Sequence, residues 1–144
     1  MANQEISDKI ELAELANKLF MYTDAQHWKK LMADVFTHEV LFDMGSGEEK
    51  KLFATEICEM WRQGFIGLDA VHHQAGHYLI TVNADNADIY GYAVAIHYKK
   101  TASHGSSRIF VGSYDLKATR TDRGWRLSQF KYNLKFIDGN SSLE

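Results

Sequence analysis

The chain changes its hydrophobic period at residues 67–77, whose sequence is GLDAVHHQAGH. Before this stretch, apolar residues recur every three or four positions, which is typical of amphipathic helices. After it, they alternate with polar residues, which is typical of half-buried strands. The change divides the chain into a helical first half and a β-rich second half, and it predicts an α+β domain.

The first half predicts three helices separated by short breaks. One is expected over residues 6–21, with Ser7 as its N-cap. Another is expected over residues 48–62, after a short strand at 40–43 and a glycine-rich turn at 45–47. Both carry apolar residues along one face, so both are expected to pack against a core.

The helix between these two is expected to begin at a capping box. Thr23 and Gln26 stand three residues apart, the spacing at which two side chains satisfy each other's main-chain N–H groups at a helix start. Asp24 then falls in the first turn, where the helix dipole stabilises a carboxylate by about 0.3–1 kcal/mol. A structural role for Asp24 therefore stands beside a functional one.

The second half predicts long strands joined by short turns. The strands are expected at residues 71–83, 87–99, 107–120 and 124–136. Short connections make neighbouring strands antiparallel, and strands this long usually bend at residues such as Gly76, Gly91 and Gly112. We therefore expect a single domain over residues 1–144, in which a cone-shaped, curved antiparallel sheet wraps around the long N-terminal helix.

The composition argues against several classes of function. The net charge is −3 and no basic stripe is present, so a nucleic-acid partner is not expected. No apolar run reaches the length of about 18 residues that a membrane-spanning helix needs, so no membrane partner is expected. Cys58 is the only cysteine, which leaves no disulfide within the chain; with a polar N-terminus, this predicts a cytoplasmic location.

Asp24 and His73 are the candidate catalytic residues. On a regular strand His73 shares a face with Ala75, His77 and Leu79, so it lies among small and apolar neighbours. An aspartate that orients a histidine gives a general base that works near neutral pH. A buried histidine with a purely structural role remains the alternative.

The spacing His73-x-x-x-His77 does not predict a metal site. Four residues of strand span about 13 Å, which is too far for both imidazoles to hold one ion. We therefore expect no metal ion, and base chemistry at His73 requires no cofactor.

Further side chains are candidates for contact with a substrate, namely Tyr22, Trp28, His97, Phe110 and Tyr114. Alternation along the strand at 107–120 predicts that Phe110 and Tyr114 point inward. His97 shares its strand face with small residues, which leave room for a ligand or for a packed helix. The tyrosine hydroxyls can donate to a carbonyl that gains negative charge. Simple core packing is the alternative for each aromatic ring.

Four motifs follow one another along residues 6–139. They are Tyr22-x-Asp24-x-x-x-Trp28, His73-x-x-x-His77-x-x-Ile80, Gly112-x-Tyr114-x-x-x-Lys117 and Gly124-Trp125-Arg126-Leu127. Their order and spacing resemble the SnoaL-like family of the nuclear transport factor 2-like (cystatin-like) superfamily.

This resemblance implies a site and an activity. The site residues are most similar to the scytalone dehydratase and dehydrochlorinase branch, whose enzymes use an Asp–His pair placed as Asp24 and His73 are. Scytalone dehydratase has a second pocket histidine on the next strand, and His97 is similar to it in position. The resemblance implies a cofactor-independent lyase or isomerase, dehydratase-like, acting on a small, largely apolar, ring-containing substrate.

The same resemblance leaves a second interpretation open. The superfamily includes small-ligand binders and association modules, because a fold does not determine a function. The alternative is therefore a non-catalytic small-ligand-binding or dimerisation domain. A homodimer is expected in either case, because apolar positions such as Ile109 and Val111 on the outer sheet face need cover.

Overall fold

A long N-terminal helix and a six-stranded sheet form the architecture of the computed structural model, which describes residues 2–144. Within these residues the helices are α1 (Ala2–Asp24), α2 (Trp28–Lys30) and α3 (Ala54–Gly64), with a π-helical turn at Leu31–Val35. The strands are β1 (Phe36–Asp43), β2 (Lys50–Phe53), β3 (Ala70–Asn83), β4 (Asn86–Tyr98), β5 (Ser107–Thr121) and β6 (Gly124–Gly139). The α+β class and all four long strands are as predicted.

The curved sheet has the strand order β2-β1-β6-β5-β4-β3. Strands β3 to β6 are antiparallel neighbours, as their short connections require. Strand β1 lies parallel to β6, with Phe42 opposite Phe130, so the sheet is mixed rather than wholly antiparallel. A parallel pairing is possible because the chain between β1 and β6 passes through α3 and four other strands rather than through a hairpin.

Helix α1 packs its apolar face on the inner face of the sheet. The buried side chains of this face are Leu12, Leu15, Ala16, Leu19 and Phe20. The Tyr78 hydroxyl on β3 donates to Asn17 Oδ1 at 2.9 Å, which ties the helix to the strand beside it. Neither α1 nor any other helix within residues 2–144 is long and apolar enough to cross a membrane.

A partly buried ion pair holds the start of α1 to the end of β5. Asp8 is 2 % exposed, and both of its carboxylate oxygens accept hydrogen bonds from Arg120, at 3.0 and 2.9 Å. The Trp125 indole and the Gln4 amide donate to the same carboxylate. The Arg120 guanidinium lies 4.5 Å from the Trp125 ring, so the cation is covered on one face. Buried charges require such partners because water no longer solvates them.

The ends of the helices differ from the sequence prediction. Helix α1 begins at Ala2, so Ser7 lies inside the helix rather than at its N-cap. The same helix continues to Asp24, because the Thr23 hydroxyl donates back to the Leu19 carbonyl oxygen instead of starting a new helix. Gln26, with a φ of 55°, ends it in the left-handed region. The predicted capping box at residues 23–26 is therefore wrong.

The third helix is shorter than predicted. Residues 50–53 form β2, which pairs with β1, and α3 begins only at Ala54. The Glu56 side chain accepts the Phe53 main-chain N–H at 2.9 Å and so caps the helix. The glycine-rich turn at 45–47 is present, and Asp43 Oδ1 accepts its Gly45 N–H at 2.8 Å.

A bulge in β3 changes which side chains of the following part of the strand face inward. The pairing with β4 shifts between Gly76 and Leu79, and His77 has a φ of 55°. His73 and Ala75 face inward before the bulge, whereas Tyr78 faces inward after it. His77 and Leu79 therefore do not share the face of His73, contrary to the simple alternation. The predicted bulge position, Gly76, is confirmed.

The outer face of the sheet, opposite α1, carries exposed apolar side chains. Tyr92 on β4 and Phe136 on β6 are 47 % and 53 % exposed. Val94 and Val111 stand opposite each other on β4 and β5 between them. We call this surface, with Tyr98 and Ile109, the outer patch.

Candidate active site

The carboxylate of Asp24 contacts both the ring and the main chain of His73. Asp24 Oδ1 lies 2.6 Å from His73 Nδ1, and Asp24 Oδ2 accepts the His73 main-chain N–H at 2.8 Å. The side chains are 17 % and 10 % exposed. The end of α1 and the start of β3 thus bring together the two residues that the sequence analysis singled out.

These hydrogen bonds assign the ring nitrogens of His73. An ionised carboxylate only accepts hydrogen bonds, so Nδ1 carries a proton and donates to Asp24. In the neutral imidazole Nε2 then has a free lone pair. His73 is therefore arranged as a proton acceptor at Nε2, with Asp24 fixing its orientation.

The position of Asp24 disfavours a purely structural explanation for its carboxylate. Asp24 is the last residue of α1, where the helix dipole opposes a negative charge at a cost of about 0.3–1 kcal/mol. The helix-start role considered from the sequence does not apply there. The two hydrogen bonds from His73 are the interactions that hold the carboxylate in place.

A cavity of about 100 Å³ lies beside His73, between α1, α3 and the inner face of the sheet. Its wall consists of Phe20, Thr23, Met44, Trp61, Phe65, His73, His97, Tyr114 and Phe130. Aromatic rings form most of this wall, and two imidazoles and one phenol are its titratable groups. An apolar cavity with a few convergent polar groups is a common form of small-molecule site.

His97 contributes the second imidazole of the wall and is held from behind by Arg108. Arg108 Nε–H donates to His97 Nδ1 at 3.0 Å. Burial of the ring, and next the positive charge of Arg108, lower the pKa of His97 to about 4. His97 is therefore neutral at physiological pH.

Tyr114 places a phenol on the wall. Its ring packs edge-on against Phe20, at a centroid distance of 5.0 Å, and against Phe130 at 5.3 Å. Burial raises the pKa of Tyr114, so its hydroxyl stays protonated and can donate. Behind it lies Tyr132, whose buried hydroxyl has no hydrogen-bond partner in the described part of the chain.

Three predicted contact residues lie outside the cavity wall. The Tyr22 ring lies beside His27 and under the Lys30 ammonium group. Trp28 packs against the back of Phe65. Phe110 packs against His97 and Arg108, so it supports the wall without forming it. Of the five candidates for substrate contact, only His97 and Tyr114 border the cavity.

Most of the aromatic wall was not among the residues predicted from the sequence. Phe20 precedes Asp24 by four residues, a helical spacing at which two side chains share one face. Phe130 follows a break in the alternation of β6, so the period of 2 counted from Trp125 and Leu127 would place it on the outer face. Trp61 and Phe65 reach the cavity from the end of α3, and no local sequence signal indicates this.

Other reactive side chains do not join the site. Cys58 is buried on α3, and burial raises the pKa of its thiol to about 11. His77 lies within the β3 bulge, with its ring beside Tyr92 on the outer face. Within residues 2–144, no group of three or more His, Cys, Asp or Glu side chains is arranged to hold a metal ion.

A curved six-stranded sheet packed against a long N-terminal helix defines a domain of the nuclear transport factor 2-like (cystatin-like) fold. The sequence profile of the SnoaL-like domain matches residues 4–131. The chain therefore belongs to the SnoaL-like family. No curated protein sequence matches it at a significant level.

Solved structures share this architecture over nearly the whole chain. The Kfla4162 protein of Kribbella flavida is 26 % identical, with a TM-score of 0.90, and the match covers 96 % of this chain and 97 % of that one. A scytalone dehydratase-like protein of Novosphingobium aromaticivorans is 13 % identical, with a TM-score of 0.85 and coverage of 97 % and 92 %. The type 3 hexachlorocyclohexane dehydrochlorinase of Novosphingobium barchaimii is 12 % identical, with a TM-score of 0.79 and coverage of 98 % and 95 %.

Proposed function

We propose that the protein is a cofactor-independent, dehydratase-like lyase or isomerase that acts on a small, largely apolar, ring-containing substrate. The observation that carries the proposal is the Asp24–His73 pair at the wall of an aromatic cavity. A buried imidazole whose Nδ1 donates to a carboxylate presents Nε2 as a general base. The names of the dehydratase and dehydrochlorinase neighbours support the same class of chemistry.

The reaction begins when His73 Nε2 takes a proton from a substrate carbon. In an elimination, the C–H electron pair forms a carbon–carbon double bond as the leaving group departs from the neighbouring carbon with its own pair. When the leaving group is hydroxide, it takes the proton from the imidazolium, and water and neutral His73 result. In an isomerisation, the electron pair moves onto a carbonyl oxygen, and the imidazolium returns its proton to a different carbon.

Negative charge that develops on a substrate oxygen requires hydrogen-bond donors. Tyr114 offers a protonated hydroxyl at the cavity wall, and His97 borders the same space. Preorganised donors of this kind supply about 2.7–4 kcal/mol each when they match the charge of a transition state. General-base catalysis contributes about 10²–10⁴-fold, so the donors and the aromatic walls supply the remainder.

The cavity limits the substrate unless a wall side chain moves. Its volume of about 100 Å³ is below the roughly 150 Å³ that admits benzene in an engineered apolar cavity. Met44 is 48 % exposed and unbranched, so it can swing outward more readily than the rings around it. We therefore propose that Met44 opens the site to a ring-containing substrate.

The test begins with a thermal-shift screen of small cyclic carbonyl and hydroxyl compounds, followed by an assay of each hit for loss of water, loss of halide or double-bond migration. His73→Ala is expected to abolish turnover while the compound still binds. Full turnover by His73→Ala would overturn the mechanism. Binding without turnover in the native protein would favour a non-catalytic ligand-binding domain, which is the second candidate because the aromatic wall alone can retain an apolar ligand.

We also propose that the outer patch is covered by a second copy of the chain. Tyr92 and Phe136 are about half exposed on this surface, and Val94 and Val111 lie between them. The side chains that define the patch are apolar or aromatic, and a two-fold arrangement covers the same surface on both copies. Dimerisation would leave the cavity accessible, because the cavity lies on the inner face of the sheet.

A further inference from the structure

Arg108 lies beside His97 on the neighbouring strand of the sheet. The two residues are register partners on β5 and β4, and the Arg108 Nε–H donates to His97 Nδ1 at 3.0 Å. A guanidinium has only donors and stays protonated in proteins. Nδ1 of His97 is therefore an acceptor without a proton, and in the neutral ring the single proton is on Nε2.

Two further contacts hold the guanidinium of Arg108. Its Nη1 donates to the Ser141 carbonyl oxygen at 3.2 Å, and its central carbon lies 5.6 Å from the centre of the Phe110 ring. Phe110 in turn packs against His97, with ring centroids 5.1 Å apart. The side chain is therefore fixed at its Nε end against His97 and at its Nη end against the chain terminus.

The charged and titratable groups around His97 reinforce this assignment. Arg108 approaches from β5, His73 from β3 and Asp24 from α1, while Phe65 presents its ring edge at 5.8 Å. The positive charge of Arg108 opposes a second proton on the imidazole, and so does burial of the ring. Both effects make His97 a weaker base than an ordinary imidazole.

The Nδ1 atoms of the two cavity histidines have hydrogen-bond partners with opposite roles. The partner of His73 Nδ1 is a carboxylate, which accepts, and the partner of His97 Nδ1 is a guanidinium, which donates. Nε2 is consequently a bare acceptor on His73 and an N–H donor on His97. His73 pairs with Ala95, two residues before His97 on β4, and such diagonal neighbours lie about 7–8 Å apart.

We propose that Arg108 is a positioning residue that commits His97 to donate its Nε2–H to a substrate oxygen, opposite the proton-accepting nitrogen of His73. This proposal rests on the proposed function. It deepens that function by assigning the substrate an oxygen acceptor, a carbonyl or hydroxyl group, close to the carbon that loses its proton. The positive charge behind His97 strengthens the donor as that oxygen gains electron density.

Nitrogen-15 NMR of the histidine rings tests the assignment without any substrate. In the native protein His97 is expected to show a protonated Nε2 and an unprotonated Nδ1 at neutral pH, and to titrate near pH 4. In Arg108→Met the titration is expected to move upward, part of the way toward the ordinary imidazole value of about 6.5. Arg108→Lys keeps a cationic donor and is expected to retain most of the native behaviour. Arg123→Met, which removes an exposed arginine in the β5–β6 turn, is the matched control and should leave His97 unchanged.

A native His97 protonated on Nδ1, or an unchanged titration in folded Arg108→Met, would overturn the role of Arg108. If Arg108→Met does not fold, the measurement on the native ring still decides the assignment. Once a turned-over substrate is known, Arg108→Met is expected to lower kcat more than it raises KM, with partial rescue in Arg108→Lys. The ring assignment is independent of turnover, so its failure and the failure of the proposed function are separate outcomes.

Discussion

Asp24 holds His73 at two points, because one carboxylate oxygen accepts from the imidazole Nδ1 at 2.6 Å and the other from the main-chain N–H at 2.8 Å. A single side chain therefore fixes both the strand and the ring that it carries. This relationship distinguishes Asp24 from an acid that merely neutralises a histidine.

Asp24→Asn is expected to lower turnover by about 10²–10⁴-fold with little loss of folding stability. The amide can still accept the main-chain N–H of His73, but its NH₂ group no longer favours a protonated Nδ1. The steady-state rate on an identified substrate, measured beside the melting temperature, checks this. Asp122→Asn in the exposed β5–β6 turn is the matched control. Equal rates for Asp24→Asn and the native protein would contradict the general-base mechanism.

The Asp8–Arg120 pair predicts a pH dependence of stability. Hydrogen bonds from Arg120 lower the pKa of Asp8 from 3.8 to about 2. A carboxyl group with a lower pKa in the folded state stabilises the protein above the unfolded value, and this stabilisation is lost as the pH falls toward 2. Asp8→Asn is therefore expected to melt at a lower temperature than the native protein at pH 7.

The difference in melting temperature between native protein and Asp8→Asn should shrink as the pH falls from about 4 to 2. Asp88→Asn removes an exposed carboxylate that pairs with Lys117, and it should change the melting temperature little at any of these pH values. Thermal unfolding followed by circular dichroism makes both comparisons. If the melting temperatures of native protein and Asp8→Asn differ by the same amount from about pH 4 to 2, the lowered pKa of Asp8 is contradicted.

Gly112 is expected to be intolerant of any side chain. A Cβ at this position would lie 2.3 Å from the Asn133 carbonyl oxygen and 2.8 Å from the Tyr132 hydroxyl. The first neighbour is main chain, so relief requires β5 and β6 to move apart. We expect Gly112→Ala to destabilise the protein by about 1–3 kcal/mol.

Gly64→Ala is the control for the glycine prediction, because a Cβ at the end of α3 meets no atom within 4 Å. That substitution should be neutral or stabilise the protein by up to about 1 kcal/mol. Urea unfolding of both variants gives the comparison. Similar stabilities for the two variants would show that β5 and β6 can move apart at Gly112 with little cost, contrary to this prediction.

Val111→Lys is expected to convert a homodimer into a monomer. Val111 lies at the centre of the outer patch, opposite Val94, where a buried ammonium group would be unpaired. Light scattering coupled to size-exclusion chromatography measures the mass of each form. Met21→Lys places the same charge on the exposed side of α1 and should leave the mass unchanged. A native protein that elutes as a monomer at all concentrations tested would contradict the dimer proposal.

The strands could be predicted from sequence because their signals are local. Alternating apolar residues and short polar turns define β3 to β6, and the glycine at 76 marks the bulge. The parallel pairing of β1 with β6 could not be predicted in the same way, because it joins residues about 90 positions apart. Nothing within either strand indicates that pairing.

The helix ends were harder to predict because the same side chains can satisfy different partners. Thr23 fits an N-cap by spacing, yet its hydroxyl bonds the carbonyl four residues earlier within α1. Residues 50–53 run directly into a helix in the sequence, but in the fold their main chain pairs with β1. At Thr23 a hydrogen bond within α1 replaced the N-cap, whereas at residues 50–53 pairing with β1 overrode the local helical pattern.

The site was predictable only in part. Resemblance to the family, rather than any spacing within the chain, indicated that Asp24 and His73 belong together. Arg108 was missed because an arginine on a strand is usually solvated, and only the β4–β5 register places it opposite His97. Aligning that hairpin by its turn at residues 101–106 is the signal that could have found it.

Tyr78 follows His73 by five positions, and in an evenly pleated strand an odd interval places two side chains on opposite faces. The bulge at His77 shifts the alternation by one residue. The His73 imidazole and the Tyr78 ring, which contacts α1, therefore both lie on the inner face of the sheet. One extra residue in β3 therefore lets side chains of opposite alternation point to the same face of the sheet. If the pleat were even, either the His73 imidazole or the Tyr78 ring would face the outer side of the sheet.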